Sequence, residues 1–299
     1  MEQKIRPRHP EKVNNPINPI KKKPNWIRSK ILNSKEFFLT KKIINQNNLT
    51  TVCQEANCPN ITECWSKRHA TFLIMGDICT RACAFCDVIT GKPKQLDIFE
   101  PHKIAKAVKK LNLKHAVITS VDRDDIKDGG SIIWAETVNA IRDLNPNTTI
   151  ETLIPDFKGE TENIDRIIEV APEVVSHNLE TVRRLTKEVR IQAKYDRSLE
   201  VLKYLKESGL SRTKSGVMLG LGEKREEVLE TLDDLRKVGV DIVTLGQYLQ
   251  PSEKHLPVND FITPDEFKEY EIIAKEMGFR HVESGPLVRS SYKAHKHIH

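Results

Sequence analysis

From residue 70 onward the chain alternates two patterns. Short runs rich in β-branched and other apolar residues fall at 71–75, 116–120, 149–153, 174–177, 215–219 and 242–245, and predict strands. Between them apolar positions recur every three or four residues, at 101–111, 131–144, 161–170, 195–208 and 225–238. That is the spacing of amphipathic helices. A last helical stretch at 264–277 leads to a short final run at 280–283. Repeated strand–helix units imply a parallel sheet with right-handed crossovers. The chain has room for six units but not for eight, leaving a six-unit open barrel or a doubly wound sheet. In either case the reactive loops are expected at the C-terminal ends of the strands. Before residue 51 the periodicity breaks down, and Pro and Asn punctuate an extended arm with a short helical piece near 35–44.

Composition narrows the class. A chain of 299 residues with 38% hydrophobic and 30% charged residues is ordinary for a soluble globular protein. No apolar run approaches the ~20 residues of a membrane span, so no membrane association is expected. Residues 1–20 are polar and lack the apolar stretch of a secretory signal. Glu2, Glu11 and the absence of Ser before Ser29 argue against a transit peptide, and a cytoplasmic location is expected. The net charge of +6 is uneven: residues 1–50 hold twelve Lys/Arg and three Glu, the remainder 36 basic and 39 acidic residues. Such an arm suits an acidic partner. No helix-turn-helix or aromatic-interleaved basic stripe accompanies it, so nucleic acid is not expected to be that partner.

The cysteines change the picture most. All six, Cys53, Cys58, Cys64, Cys79, Cys83 and Cys86, lie within 34 consecutive residues. A disulfide framework would suit a short secreted chain, whereas clustered thiols in a reducing compartment point to metal. The second trio, Cys79-Thr-Arg-Ala-Cys83-Ala-Phe-Cys86, follows the first predicted strand. Three thiolates on one loop can hold three irons of a [4Fe–4S] cubane, which normally takes four, and leave one iron open. The alternative is a structural zinc loop with His69 enlisted as fourth ligand, although zinc loops usually pair their ligands.

The spacing C-x3-C-x2-C with Phe85 before the last Cys resembles the radical S-adenosylmethionine (SAM) superfamily signature. The resemblance implies a partial (β/α)6 open barrel whose cluster of Cys79, Cys83 and Cys86 chelates SAM and cleaves it to a hydrogen-abstracting radical. The first trio, Cys53-x4-Cys58-x5-Cys64, makes the likeness narrower: together the trios resemble the lipoyl synthases. Further segments similar to that family are Lys23-Pro-Asn-Trp-Ile-Arg28, Thr119-Ser-Val-Asp-Arg-Asp-Asp125, Gly246-Gln-Tyr-Leu-Gln-Pro-Ser252 and Arg289-Ser-Ser-Tyr-x-Ala294. By that resemblance Cys53, Cys58 and Cys64 hold an auxiliary [4Fe–4S] cluster, and Ser291 supplies its fourth ligand. The divisions implied are an arm with the auxiliary segment (1–69), the barrel (70–283) and a tail carrying the Ser ligand (284–299). Two sulfurs from the sacrificed auxiliary cluster would enter an octanoyl chain at carbons 6 and 8. The implied partners are an octanoylated lipoyl carrier domain, from a 2-oxoacid dehydrogenase E2 or a glycine cleavage H protein, and a reducing donor such as flavodoxin or ferredoxin.

The same resemblance places Ser120, Asp122 and Arg123 at the methionine end of SAM. Asn178 and Glu180 pair donors with acceptors in a way that suits a ribose diol, although a helix cap with a first-turn acid is an equally simple reading. Asp124, Asp125 and Asp128 read either as polar groups of the pocket or as charges at a helix N-terminus. The glycines of Leu219-Gly-Leu-Gly-Glu223 would permit close approach of an adenine. The His-rich ending Lys293-Ala-His-Lys-His-Ile-His299 reads as a disordered polar terminus rather than a metal site.

Overall fold

Seven parallel strands curve around most of a barrel, and the end of the C-terminal tail reaches its interior. The computed structural model describes residues 16–29, 32 and 34–298. The first fifteen residues of the basic arm and His299 therefore lie outside the described residues.

The strands are β1 (Thr50–Thr51), β2 (Thr71–Ile74), β3 (Ile78–Cys79), β4 (Ile89–Thr90), β5 (His115–Ser120), β6 (Thr149–Leu153), β7 (Val174–Ser176), β8 (Thr213–Leu219), β9 (Ile242–Gln247) and β10 (His281–Gly285). Helix α1 (Lys35–Gln46) precedes two short helices, α2 (Val52–Glu55) and α3 (Ile61–Ser66). The crossover helices are α4 (Glu100–Leu111), α5 (Ser131–Leu144), α6 (Thr161–Glu169), α8 (Tyr195–Glu207), α9 (Arg225–Lys237) and α10 (Pro264–Glu276), with a short α7 (Thr186–Val189) before α8. The main sheet runs β1-β2-β5-β6-β7-β8-β9-β10, parallel throughout except for β1 on β2. Among the described residues no ladder joins β2 to β10, so the barrel is open there. The six predicted units are present. The final run at 280–283 proves to be a seventh parallel strand, paired with β9 from His281 opposite Ile242.

Residues alternate across each strand. Outward positions such as Ile118, Ile150 and Val243 pack under helices whose apolar stripes include Trp134, Val138 and Ile141 of α5. Inward positions are polar for a core: His115, Glu151 and Lys214 line the lower interior, with Thr119, Gly216 and Thr244 nearer the top. Local chemistry sets the helix starts. Pro264 opens α10, and Thr263 with Glu266 forms a capping box over its first turn. Asp128 accepts from the backbone N–H of Gly130 and Ile132 and so serves the start of α5, the second of its two readings.

The tail differs from the sequence expectation. Residues Ala294–Ile298 form a 3-10 helix with Ala294 and His297 buried, because His297 finds a polar partner inside the barrel. No helix among the described residues is long and apolar enough to cross a membrane.

Candidate functional site

The loop after β2 is clamped from several sides. β3 and β4 pair across its ends, and Gly91 N–H donates to the Cys79 carbonyl at 3.0 Å. Thr80 donates through its N–H and its hydroxyl to the Asp122 carbonyl beyond β5, at 3.1 and 2.9 Å. Ala84 N–H donates to Val189 at 2.9 Å, while the His255 ring bonds the Cys86 carbonyl at 3.0 Å. Arg81, inside the trio, is almost fully buried and reaches Asp124 at 2.7 Å and Asp156 at 2.7 Å. Burial would raise the Asp156 carboxyl, but Arg81 holds it well below the usual carboxylate range, so it stays ionised.

Cys79, Cys83 and Cys86 face a cavity of about 460 Å³ at the C-terminal ends of the strands. Burial, followed by the neighbouring Asp122, pushes the Cys79 thiol well above its ordinary value. A metal replaces such a proton when it binds. Phe85, Ser120, Asp122, Asn178 and Glu180 line the same cavity. The Ser120 hydroxyl, Asn178 Oδ1 and Gln250 Oε1 are buried there without a hydrogen-bond partner among the described residues. Unpaired buried polar atoms are costly, and three around one cavity fit a polar occupant. Asn178 Nδ2 donates to Glu180 at 2.9 Å, and Glu180 holds a left-handed backbone (φ 65°) that few non-Gly residues adopt. Burial raises the Glu180 carboxyl against the opposing pull of Arg190.

Three expectations place differently. Arg123 is absent from the cavity lining; its guanidinium folds back onto Asp125 at 2.8 Å and toward the Met75 carbonyl, because a buried Arg needs a counterion. Asp124 and Asp125 are engaged with Arg81 and Arg123. The Gly220–Gly222 turn is approached by Gln247 and Asn259, so its open backbone serves internal packing. Sequence reasoning missed Arg81, Arg190 and Lys23 at this cavity. Of these Arg81 had a signal, since it stands inside the cysteine loop just after β3.

The first trio surrounds a separate cavity of about 50 Å³. Thr51 caps α2, which carries Cys53; Cys64 lies on α3, and Cys58 N–H donates to the Cys53 carbonyl between them. Burial and the neighbouring Cys58 push the Cys53 thiol up to about 11. Burial, with Cys53 and Cys58, pushes Cys64 up to about 12. Ser291 and Lys293 of the tail complete the wall, and the Ser291 hydroxyl makes no hydrogen bond to the described residues. His69 lines this cavity and not the one beside Cys79, its ring 4.8 Å from that of His295. The two serines divide: Ser290 lines the large cavity, Ser291 the small one, and Arg289 touches both.

Residues 73–246 match the model of the radical SAM superfamily. A mitochondrial lipoyl synthase of Nematostella vectensis is 63% identical over 95% of this chain and 98% of its own length. A lipoyl synthase of Christiangramia forsetii is 62% identical over 96% of this chain and 100% of its own. Among solved structures, the FeFe-hydrogenase maturase HydG from Carboxydothermus hydrogenoformans superposes with a TM-score of 0.56 at 16% identity, covering 76% of this chain and 65% of that one, a likeness of fold alone. The barrel, the two cysteine trios at its mouth and side, and this identity along nearly the whole length place the chain in the lipoyl synthase family of the radical SAM superfamily.

Proposed function

We propose that the chain inserts two sulfur atoms, at carbons 6 and 8, into an octanoyl group amide-linked to a lysine of a lipoyl carrier domain. The large cavity is the site of hydrogen abstraction and the small one the source of sulfur. One observation carries this division: the trios face different cavities, three thiols in each, joined through the Arg289-Ser290-Ser291 segment. When bound, SAM and the two [4Fe–4S] clusters supply the radical and the sulfide.

The chain's own residues do the rest. Cys79, Cys83 and Cys86 hold one cluster by three corners, leaving the fourth open to SAM. Ser120, Asn178 and Glu180 offer the hydroxyl, amide and carboxylate that fix a polar cofactor across the strand ends. Cys53, Cys58 and Cys64, with the Ser291 oxygen, hold the other cluster. Among the described residues no three His, Cys, Asp or Glu side chains are arranged around a single ion. Lys21 and Lys23 lie on a strap formed by residues 16–29 beside the mouth, where an acidic carrier domain would dock. A low-potential donor such as flavodoxin or ferredoxin supplies electrons. The reaction belongs in a reducing compartment, the cytoplasm by our reading, where the six cysteines stay out of disulfides.

The test separates the trios. Cys83→Ala should abolish 5′-deoxyadenosine formation, while Cys58→Ala should retain it and yield no thiolated octanoyl-lysyl peptide. Iron per reconstituted chain should fall from about eight to about four in each. Sustained SAM cleavage by Cys83→Ala overturns the assignment.

A further inference from the structure

The lower interior of the barrel holds a buried cation. Lys214, inward on β8, is fully buried, with its Nζ 2.7 Å from Glu151 of β6. Ser176 of β7 donates to the same carboxylate at 3.2 Å, and His115 of β5 stands 3.7 Å from its other oxygen. An ion pair so far from water needs its remaining hydrogen bonds filled. Nδ1 of His297, from the tail, lies 3.3 Å from Lys214 Nζ. Burial, with Lys214 beside it, holds the His297 ring down to about 3, so it is neutral and its Nδ1 accepts. Among the described residues its Nε2 is buried without a hydrogen-bond partner, so the ring sits here at a cost, and Lys214 is the hydrogen-bond partner that holds it.

From His297 a run of turns leads back to Ser291. Lys296 N–H donates to Lys293, Ala294 N–H to the Ser291 carbonyl, and Tyr292 N–H to Arg289, at 2.9, 3.3 and 2.8 Å. Upstream the tail is pinned by Asn60 Nδ2 on the Leu287 carbonyl at 2.6 Å and by Arg289 on the Gln247 carbonyl at 3.1 Å. Downstream the tail also has the part-exposed pair Lys293–Glu283 at 3.2 Å, of a kind worth little, and ring contacts of His295 with His69 and of His297 with His281. A single hard oxygen competes poorly with thiolates for iron unless it is held in place. Its effective concentration at the small cavity is set by how firmly both ends of the segment are tied.

We propose that His297, caught on Lys214 inside the barrel, is a positioning residue that holds Ser291 over Cys53, Cys58 and Cys64. This rests on the reading of the small cavity as a cluster site. Two variants of the full chain test it, His297→Ala and His297→Asn, the latter keeping an acceptor near the place of Nδ1. In the metal-free chain, the amides of 291–296 should exchange about tenfold faster in His297→Ala, the effect of one lost hydrogen bond to a charged donor, and should recover in His297→Asn. After anaerobic reconstitution, about half of the iron should pass to a chelator severalfold faster in His297→Ala, and adding Ser291→Ala should accelerate it no further. Unchanged exchange overturns the catch. Faster exchange with iron loss like that of the parent chain overturns the positioning of Ser291. A parent chain that takes up only about four iron overturns the two-cluster reading, while the exchange comparison still decides the catch.

Discussion

Arg81 and Asp156 meet at 2.7 Å across the barrel mouth, although one sits within the cysteine loop after β2 and the other beyond the end of β6. Asp156 is fully buried and also takes Lys158 N–H at 3.0 Å and Arg197 at 3.4 Å. The loop that presents Cys79 and Cys83 is thereby tied to the next strands of the sheet as well as to its own. Removing Asp156 leaves Arg81 its partner Asp124 but deletes a charge-assisted bond at a buried site, a loss of about 1.5–3 kcal/mol. Asp156→Ala should therefore lower the unfolding free energy of the metal-free chain by that order, while Arg81→Lys, which keeps the charge but not the fork, should cost less. Urea unfolding measures both. A loss below about 1 kcal/mol for Asp156→Ala would show that the pair does not hold the loop.

Acid sensitivity should trace to His177. Its Nδ1 donates to the Ile154 carbonyl at 2.9 Å, and its Nε2 accepts from the Ser198 hydroxyl at 2.9 Å; the first bond survives protonation, but the second requires the neutral ring. Burial first, then Arg190, hold its pKa at about 4 against an ordinary 6.5; Arg81 adds to this and Asp156 opposes it. The unfolded chain takes up a proton below 6.5 that the folded chain refuses until about 4. The contribution of His177 is thus complete above 6.5 and is lost as pH falls toward 4. A gap of that size corresponds to on the order of 3 kcal/mol. His177→Gln should flatten the fall in unfolding free energy across this window. An unchanged slope would assign the acid sensitivity to another group.

How much of this was legible depended on what each residue answers to. Strand and helix positions follow from burial periodicity, and Thr149–Leu153 and Ser131–Leu144 fall where the apolar pattern puts them. The short helices α2 and α3 carry too few residues for a period, so only their cysteines announced them. Arg123 and Arg81 look alike in sequence, yet one turns onto Asp125 and the other ties the loop to Asp156; which counterion each finds is a tertiary matter. Gly246 gave no sign of its constraint either. A Cβ there would collide with the Val288 carbonyl, so that glycine makes room for a tail forty residues later. His297 was read as part of a loose polar end because its partner, Lys214, lies 83 residues away.

The strap at 16–29 should govern the protein-bound substrate more than the chemistry. Asn18 N–H donates to Glu253 at 2.8 Å, Gln250 Nε2 donates to the Asn18 carbonyl at 2.8 Å, and Lys21 reaches the Asn259 carbonyl at 2.8 Å, laying the strap along the loop after β9. Lys23 reaches the mouth. Reversing Lys21, Lys22 and Lys23 to Glu should weaken binding of an acidic octanoylated carrier domain, with the difference shrinking as salt rises. Turnover of a short octanoyl-lysyl peptide should change less. Equal losses on both substrates would assign the strap to holding the mouth together.

Replacing Ser291 tests why an oxygen stands among thiols. Three soft ligands and one hard one make a site whose weakest bond is known in advance, and releasing sulfide requires iron to leave. On the proposed reading Ser291 would take that role from the tail and not from the segment that carries Cys53, Cys58 and Cys64, so its departure need not disturb them. Ser291→Ala should still load a cluster on the three cysteines, but one lost sooner to a chelator. Ser291→Cys should give a four-thiolate site that keeps its iron longer than the parent and yields less thiolated product. Both should form 5′-deoxyadenosine at the parent rate, since Cys79, Cys83 and Cys86 face the other cavity. Iron content, 5′-deoxyadenosine and product mass, read for each variant, separate these effects. If Ser291→Cys inserts sulfur as well as the parent chain, lability of the fourth ligand does not limit the reaction; if Ser291→Ala does so too, the oxygen is no ligand at all.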